Sequence, residues 1–578
     1  MPRFVERVRK LRKASIDELR VRCAQAARAR LERLGLSSDS RLPTDREFGQ
    51  LFDCGQTDQL ADGESLLARL RGSHIVGHVL PGLADPEHTA LEFRRRCPEA
   101  AAAMVAAAER IAAGQVDLGD RRVAVGPRPD WTLEPRSGKR APAIHWSRVA
   151  FLDPDVAGDC KLTWELNRHQ YFVTLGQAHL LTGDARYASL VVDHLGSWLD
   201  ANPPKIGINW TSSLELAFRA ISWVWTLYLL RQSPCLEGTF FLRVLKSLYL
   251  HARHIECNLS TYFSPNTHIT GEALGLLYIG TAFPDFRRAA HWRSLGARIL
   301  ADQLDRQLFA DGVYFEQATY YHRYTVDFYL HALLLTQSNE PWLEGMVRPR
   351  LHSLLDYLLF ITRPDGTSPL IGDEDGGRLV MLGERPTNDF RDTLAIGAAL
   401  VGRADCAHVA GHAVEELSWL LGPSGLRAYD ALPRTPPAGT SRAFAQSGYY
   451  VMRERWDRTA NWALVRCGPH ASQTGAHAHA DALALELSLA GHTVLIDPGT
   501  YCYTASRADR EYFRGSAAHN TVTLDERSSA EPGESVFNWQ SVPQSRATAW
   551  VTTPIFDFFK GEHDGFRRLA SPAMHSRA

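Results

Sequence analysis

The chain has 578 residues, 45% of them hydrophobic and 22% charged, and its 64 Lys and Arg residues nearly balance 65 Asp and Glu residues. Such a chain is too long for one compact core, so we expect two or three domains. The charge balance argues against broad electrostatic binding to nucleic acid, which requires a basic surface to neutralise phosphates. The overall charge balance is still compatible with a local basic cleft that binds an acidic sugar.

The cysteines and the first residues indicate the cellular compartment. Nine cysteines are scattered without a CxxC pair, so neither a zinc ribbon nor a dithiol redox site is predicted, and we expect reduced thiols. Residues 1–35 are basic and helical in pattern but lack the apolar core of a secretory signal. No window approaches the roughly 18 apolar residues of a membrane span. These features predict a cytoplasmic protein.

A long series of amphipathic helices is predicted between about residues 60 and 425. Apolar residues recur at three- and four-residue spacing, and breakers such as TGD, NPP and FPD end the segments. The clearest predicted helices span 164–183, 185–202, 213–232, 239–259, 268–283, 291–309, 319–337 and 342–362. Consecutive helices joined by short loops indicate a ring or a solenoid, and we prefer an incomplete (α/α) toroid.

The periodicity changes after a Pro- and Gly-rich stretch at 421–441, which predicts a linker. Runs such as GYYVMRE, WALVRCG and NTVTLDE predict the strands of an antiparallel β-sandwich. The final stretch has no clear closing strand, which leaves the completeness of the sandwich open. The predicted division is a helical extension at 1–60, a toroid at 61–425, a linker at 426–440 and a β-sandwich at 441–578.

The densest group of chemically active side chains lies in the predicted sandwich. His477, His479 and Asp481 alternate, so on an extended strand they would share one face. Asp497 ends the next strand-like run and His519 precedes another, so adjacent strands could bring both near His479. Two imidazoles and one carboxylate suit zinc. The alternative is an exposed His-rich loop with unrelated polar neighbours.

Two polar segments open helices in the predicted toroid. Helix capping explains Ser264 or Thr267 in SPNTHITGEALG, but it does not explain the added His268 and Pro265 beside Asn266. A second junction, within 311–329, gathers Glu316, Tyr320, Tyr321, His322, Arg323 and Tyr324. Core packing would account for one or two tyrosines, whereas the whole cluster is better explained by a sugar-binding cleft.

The chain resembles the heparinase II/III-like family of polysaccharide lyases in its motifs and in their order along the sequence. The resemblance rests on HxHxD, a later D-P-G and HN, an Asn/His pair opening one helix and E-x-x-x-x-Y-H opening another, and it spans about residues 160–525. It implies an (α/α) toroid followed by a C-terminal β-sandwich, and it adds the periplasm or cell envelope as an alternative location. It also implies a structural Zn²⁺ held by His479, Asp497 and His519.

The resemblance implies catalytic roles for Tyr321, His477, Asn266 and His268. Thr267 separates Asn266 from His268, where several lyases have Asn and His adjacent, so either could meet the substrate carboxylate. The stretch 209–225 resembles the substrate-cleft helix of the family. The residues with implied substrate-binding roles are Asn209, Trp210, Arg219, Glu316, His322 and Arg323. For the helix at 213–232 the alternative is a buried ion pair between Glu215 and Arg219.

The resemblance and the residue types predict β-elimination of an acidic, uronic-acid-containing polysaccharide. Asn266 or His268 would neutralise the C5 carboxylate, and His477 would assist. Tyr321 would act as base and acid, with its pKa lowered by His322, Arg323 or another histidine. Two alternatives stay open: an inverting glycoside hydrolase that uses Glu316 with Asp373 or Asp375, and a non-catalytic exopolysaccharide-binding or assembly protein.

Overall fold

The computed structural model of the chain describes residues 14–53, 62–72, 79–119, 121–374, 376–470 and 475–578. Two parts of the predicted N-terminal extension, 1–13 and 54–60, lie outside these ranges, and so does Asp375. Within them, a mostly helical region precedes a region of antiparallel strands.

The helical region contains long helices whose bounds lie close to those predicted from apolar periodicity. Its helices are α1 (Ile16–Arg33), α2 (Asp45–Gly49), α3 (Gly63–Arg71), α4 (Pro81–Ala84), α5 (Pro86–Arg96), α6 (Pro98–Ala112), α7 (Pro154–Ala157), α8 (Cys160–Asn167), α9 (Gln170–Thr182), α10 (Ala185–Ala201), α11 (Ser213–Leu229), α12 (Gly238–Cys257), α13 (Thr267–Ala282), α14 (Ala289–Arg306), α15 (Thr319–Thr336), α16 (Pro341–Ile361), α17 (Arg391–Val401), α18 (Ala404–Ala410) and α19 (Glu415–Asp430). None of the described helices combines the length and apolarity needed to cross a bilayer.

These helices form a ring with an inner and an outer layer. The inner helices α5, α9, α11, α13, α15, α17 and α19 contact one another in that order, and α19 returns to α4 and α5. The helices α10, α12, α14, α16 and α18 each pack against the inner helix that precedes them. Every residue of α11 and α15 is buried, because an inner helix has neighbours on all sides. The predicted (α/α) toroid is confirmed.

Three local features of the helical region differ from the predictions. The helix predicted at 164–183 is divided into α8 and α9, because His169 between them has a left-handed backbone with φ 57°. A hairpin of β1 (Gln115–Leu118) and β2 (Arg121–Ala124) interrupts the helices. Helix α19 continues to Asp430, inside the stretch predicted as a linker.

The C-terminal region forms two main antiparallel sheets. Its elements are β3 (Arg442–Phe444), β4 (Tyr449–Arg453), β5 (Trp462–Arg466), β6 (Leu485–Leu489), β7 (His492–Leu495), α20 (Arg507–Phe513), β8 (Glu531–Pro532), β9 (Trp539–Ser541), β10 (Ser545–Thr552), β11 (Asp557–His563) and β12 (His575–Arg577). Strands β3 to β7 form a meander, and β10 to β12 form the second sheet. The run 520–526 has one isolated bridge, from Leu524 to Arg527, instead of the predicted strand.

The five-stranded sheet packs on the second sheet with one face and on the toroid with the other, since successive side chains of a strand point to opposite faces. Tyr450 packs on Phe559 of the second sheet, with ring centroids 4.9 Å apart. Tyr449 packs on Tyr357 of the toroid at 5.0 Å, and its hydroxyl donates a hydrogen bond to the Gln317 carbonyl at 3.0 Å. The predicted β-sandwich is therefore confirmed, and it shares a hydrophobic core with the toroid.

The last residue of α12 and the short connection that follows it lead into Asn266, and we call residues 257–265 the lead-in segment. Inside the toroid, the fully buried Glu272 accepts hydrogen bonds from Ser260 N at 2.8 Å and from Ser260 Oγ at 2.6 Å. Gln307 Nε2 donates to the Pro265 carbonyl at 3.1 Å. Burial raises the pKa of Glu272 to about 8, although the bonds from Ser260 oppose the rise.

Glu272 makes the stability of the fold depend on pH. Its pKa rises from 4.5 in the unfolded chain to about 8 in the folded one, so its contribution is fully present below the lower value and is lost as pH rises through the upper one. We expect the thermal midpoint of the native chain to fall between about pH 5 and about pH 9, and to fall less in Glu272→Gln. The exposed Glu526→Gln is the control. Equal pH dependence in all three proteins would contradict this reading of Glu272.

Candidate active site and metal centre

The candidate site is built around the carboxylate of Asp373, which is completely buried. His477 Nδ1 donates to Asp373 Oδ2 at 2.9 Å, and His479 Nε2 donates to Asp373 Oδ1 at 2.8 Å. Arg510 in α20 donates to the same two oxygens, from Nη1 at 2.5 Å and from Nη2 at 2.8 Å. One carboxylate of the toroid therefore orients two histidines of the β-domain.

A close backbone crossing places Asp373 at the boundary between the domains. Asp373 N donates to the His477 carbonyl at 2.9 Å, and Thr319 N, at the start of α15, donates to the Ile371 carbonyl at 3.0 Å. Between them Gly372 has φ +73°, and a Cβ there would lie 2.9 Å from both the Gln317 and His477 carbonyl oxygens. Only glycine fits this crossing without strain.

The rings of Tyr321 and His477 meet across the domain boundary. Their centroids are 4.4 Å apart, and both side chains are largely buried. The Tyr321 hydroxyl lies 3.1 Å from the hydroxyl of Tyr503, in the loop before α20. The guanidinium of Arg510 lies 5.1 Å from the centroid of the Tyr503 ring. Two phenols, an imidazole and a buried cation therefore share one small site.

Glu316 connects this group to the start of α13. Its Oε1 accepts a hydrogen bond from Asn266 Nδ2 at 2.9 Å and lies 3.8 Å from His477 Nε2. Its Oε2 accepts from the Tyr314 hydroxyl at 3.0 Å. Asn266 also caps α13, because its Oδ1 accepts from His268 N at 3.1 Å. His268 is half-buried, two residues beyond Asn266 in the first turn of α13.

The buried charges of the site balance one another. Burial alone would raise the pKa of Asp373, but Arg510 and the two imidazoles hold it well below its ordinary value. Burial would lower the pKa of His477, yet Glu316 and Asp373 together outweigh burial and raise it. Burial dominates for His479, so its pKa is lowered in spite of Asp373. A neutral imidazole at that position suits a metal ligand.

A candidate metal centre includes His479, which bonds to the Asp373 oxygen that His477 does not contact. One ligand atom from each of His479, Asp497 and His519 lies within 4.8 Å of the others. His519 Nδ1 donates to Asp497 Oδ2 at 2.8 Å. Among the described residues, the buried His479 Nδ1 and His519 Nε2 have no hydrogen-bond partner. These nitrogens and the carboxylate fit Zn²⁺, and the bond from His479 to Asp373 is the orienting contact that metal-bound histidines make.

The residues around His477 do not form the strand that the alternation predicted. Residues 476–482 form turns, and β6 begins only at Leu485. His477 and His479 nevertheless converge, because each donates to a different oxygen of Asp373. Asp481 lies 3.9 Å from Arg466 Nε, outside the candidate metal centre.

Five residues with implied substrate-binding roles, unlike Glu316, lie in the toroid interior: Asn209, Trp210, Arg219, His322 and Arg323. Arg219 donates to the Asn209 carbonyl at 2.7 Å and to His251 Nε2 at 3.0 Å. The Asn209 side chain donates to Asn202 Oδ1 at 2.7 Å. The Trp210 ring packs at 5.0 Å on that of His251. Asn209 Oδ1 and Trp210 Nε1 have no hydrogen-bond partner among the described residues. The three side chains are nonetheless completely buried, which corrects the expectation that they meet substrate.

His322 and Arg323 likewise bond to groups inside the toroid. His322 Nδ1 accepts from Tyr314 N at 3.1 Å, and its Nε2 donates to the Leu354 carbonyl at 3.0 Å. Arg323 pairs with Asp327 at 3.0 Å. The tuning of Tyr321 by these two residues stays a prediction; the Tyr321 ring packs on His477, and its hydroxyl lies beside that of Tyr503.

The structure differs from two further expectations. Glu215 does not pair with Arg219 but accepts two hydrogen bonds from Arg168, at 2.7 and 2.9 Å. Asp373, a candidate carboxylate of a hydrolase, is fully buried and occupied by Arg510 and two imidazoles, so it is not placed to activate water. The other candidate carboxylate, Asp375, lies outside the described residues.

Sequence reasoning missed Tyr503 and Arg510 as members of the site. Tyr503 follows the D-P-G turn by a few residues, which is the only local signal for it. Arg510 is an ordinary arginine of an amphipathic helix in sequence, and only its contact with Asp373 distinguishes it.

Two sequence models of one family match this chain. The heparinase II/III N-terminus model matches residues 128–383, and the heparinase II/III-like C-terminal model matches residues 436–578. Among curated proteins, a heparin-sulfate lyase of Bacteroides stercoris is 25% identical over 429 residues, which cover 68% of this chain and 58% of that protein. A heparin-sulfate lyase of Pedobacter heparinus is 24% identical over 379 residues, covering 64% of this chain and 52% of that protein.

Solved structures share the fold of this chain. A crystal structure of heparinase III superposes with a TM-score of 0.63 at 17% identity, over 89% of this chain and 72% of that one. The heparan sulfate lyase HepC of Pedobacter heparinus superposes with a TM-score of 0.54 at 21% identity, over 89% and 71%. The chain spans little more than half the length of the curated relatives. Because the two family models together match more than half of the residues, this chain belongs to the heparinase II/III family.

Proposed function

We propose that the chain is a polysaccharide lyase that cleaves an acidic, uronic-acid-containing polysaccharide by β-elimination. The observation that carries the proposal is the pairing of Tyr321 with His477 across the domain boundary, fixed by the buried Asp373. The names of the curated relatives, heparin-sulfate lyases, support a glycosaminoglycan of the heparan type as the substrate class.

β-Elimination makes three demands on these residues. The C5 carboxylate of the uronic acid must be neutralised, because only then is the C5 proton acidic enough to be removed. A base must take that proton, and an acid must protonate the oxygen that leaves from C4. No water is consumed, so a pair of well-separated carboxylates is not required.

Tyr321 is the proposed base and acid. Its hydroxyl is the polar atom of α15 that faces the β-domain, 3.1 Å from the Tyr503 hydroxyl. Arg510 lies within electrostatic range of both phenols, and a buried cation stabilises a phenolate during proton transfer. His477 assists by packing on the Tyr321 ring at 4.4 Å, in an orientation that Asp373 holds.

Asn266 is the proposed partner of the substrate carboxylate. Its Nδ2 carries two N–H groups, of which Glu316 accepts one, so the other can donate to substrate. Glu316 in turn lies 3.8 Å from His477 Nε2. Asn266 is therefore connected through Glu316 to the proposed catalytic pair. His268, two residues further along α13, is the second candidate for this contact.

We also propose that His479, Asp497 and His519 hold a structural Zn²⁺. Bound there, the ion would order the loops that present His477, and it would take no part in bond cleavage. The support is the grouping of one ligand atom of each residue within 4.8 Å, the two buried ring nitrogens without a hydrogen-bond partner among the described residues, and the orienting bond from His479 to Asp373.

The proposed reaction predicts an unsaturated product that depends on Tyr321. Heparan-type and other uronate polymers should yield an ultraviolet-absorbing unsaturated uronate, and kcat should fall about 10²-fold or more in Tyr321→Phe, which loses the proton-transfer group. Tyr249→Phe is the control, because Tyr249 packs on Phe286 in the outer layer. Solvent oxygen at the new reducing end would reject elimination. Activity that is lost in Glu316→Gln and kept in Tyr321→Phe would favour a hydrolase.

The proposed zinc centre predicts about one zinc ion per chain in metal analysis of the purified protein. His519→Ala should lose most of that zinc and unfold at a lower temperature, since a bound structural ion stabilises the folded state. His492→Ala, an exposed histidine on β7, should keep both the zinc and the thermal midpoint. Equal zinc in the two variants, or none in the native protein, would refute the assignment.

A further inference from the structure

Helix α1, which precedes the family match, lies along the lead-in segment. Arg22 Nη2 donates to the Tyr262 carbonyl at 3.3 Å, and Gln25 Nε2 donates to the Leu259 carbonyl at 3.2 Å. The later donor along the helix, Gln25, contacts the earlier residue of the segment, Leu259. The helix and the segment therefore run antiparallel. Both acceptors are backbone carbonyl groups, so these contacts hold the backbone of the segment directly.

The end of α1 is anchored in the toroid by a buried ion pair. Glu32 Oε1 lies 3.3 Å from Lys205 Nζ, and both side chains are almost completely buried. Glu32 Oε2 accepts a hydrogen bond from Trp146 Nε1 at 2.9 Å and lies 3.4 Å from His145 Nε2. Lys205 Nζ also donates to His254 Nδ1, near the end of α12, at 2.8 Å. The anchor therefore fixes α1 to the helix from which the lead-in segment departs.

The lead-in segment has few apolar contacts of its own. The Phe263 side chain is 67% exposed, and Leu259 packs against the core while only partly buried. Other inward contacts are polar, from Ser260 to Glu272 and from Ser213 Oγ to the Asn258 carbonyl at 2.8 Å. A segment with little buried apolar area opens locally at low cost. Its order therefore depends on hydrogen bonds from its neighbours, and α1 supplies those on the outer side.

We propose that α1 is a positioning element for the catalytic residues: its hydrogen bonds to the lead-in segment hold Asn266 in place beside Glu316. The inference rests on the proposed function, because Asn266 is the group assigned to the substrate carboxylate. It goes beyond that function in giving a role to a helix outside the matched regions. Displacement of Asn266 would weaken an interaction made in the transition state more than the binding of the rest of the polymer.

The test is the double variant Arg22→Ala/Gln25→Ala in the full chain. Alanine is the best helix former, so α1 itself stays helical. The matched control is Arg20→Ala/Arg30→Ala, which changes two exposed residues of the same helix. Two measurements are made on each protein: hydrogen exchange of the amides of 257–266, and kcat and KM on a heparan-type polysaccharide.

We expect exchange of 257–266 to speed up about tenfold in the double variant, the effect of losing two hydrogen bonds. We expect kcat to fall about three- to tenfold with KM within about twofold, and neither quantity to change in the control. Unchanged exchange overturns the proposal, and so does faster exchange with unchanged kcat, which would make α1 only a scaffold. If the native chain cleaves no uronate polymer, the proposed function fails, and the exchange measurement alone supports or overturns the ordering of the segment by α1.

Discussion

The hydrogen bonds and the ion pair of the buried Asp373 carboxylate join the toroid to the β-domain. Placing a charge in a protein interior costs several kcal/mol unless it is paired and hydrogen-bonded. Here Arg510 supplies the opposite charge and two imidazoles complete the hydrogen bonding. Because Asp373 belongs to the toroid and its partners to the β-domain, the two domains can satisfy these groups only together.

The two oxygens of Asp373 serve different purposes. Oδ2 orients His477, the histidine that packs on Tyr321, and Oδ1 orients His479, a candidate metal ligand. The catalytic and metal-binding proposals are therefore physically coupled, although neither group touches the other directly. Asn266 of the toroid likewise makes two contacts with different purposes: it caps α13, and it donates a hydrogen bond to Glu316. Each proposed catalytic side chain is thus held by a bond that also maintains the fold.

The sequence allowed the fold to be predicted well, because apolar spacing reports directly which face of a helix or strand is buried. It also identified Tyr321, His477 and the proposed zinc ligands, whose local motifs are distinctive, although their roles stay predictions. It failed where polar residues are buried inside the ring: Arg219 and His322 resemble cleft residues in sequence but only satisfy interior groups. The role of Asp373 was not predictable, because His477, His479 and Arg510 are more than 100 residues away along the chain and no local sequence pattern indicates the contacts.

We propose that Asp373 orients both His477, the proposed catalytic histidine, and His479, a candidate metal ligand. Asp373→Asn keeps the shape of the side chain but removes its charge, with Asp365→Asn, an exposed position in the same loop, as the control. Zinc content and kcat should be measured on the same folded samples. We expect Asp373→Asn to lose zinc and to lose about 10²-fold or more in kcat, because His477 would no longer be held in its orientation. Retention of both quantities at the level of Asp365→Asn would contradict the proposal.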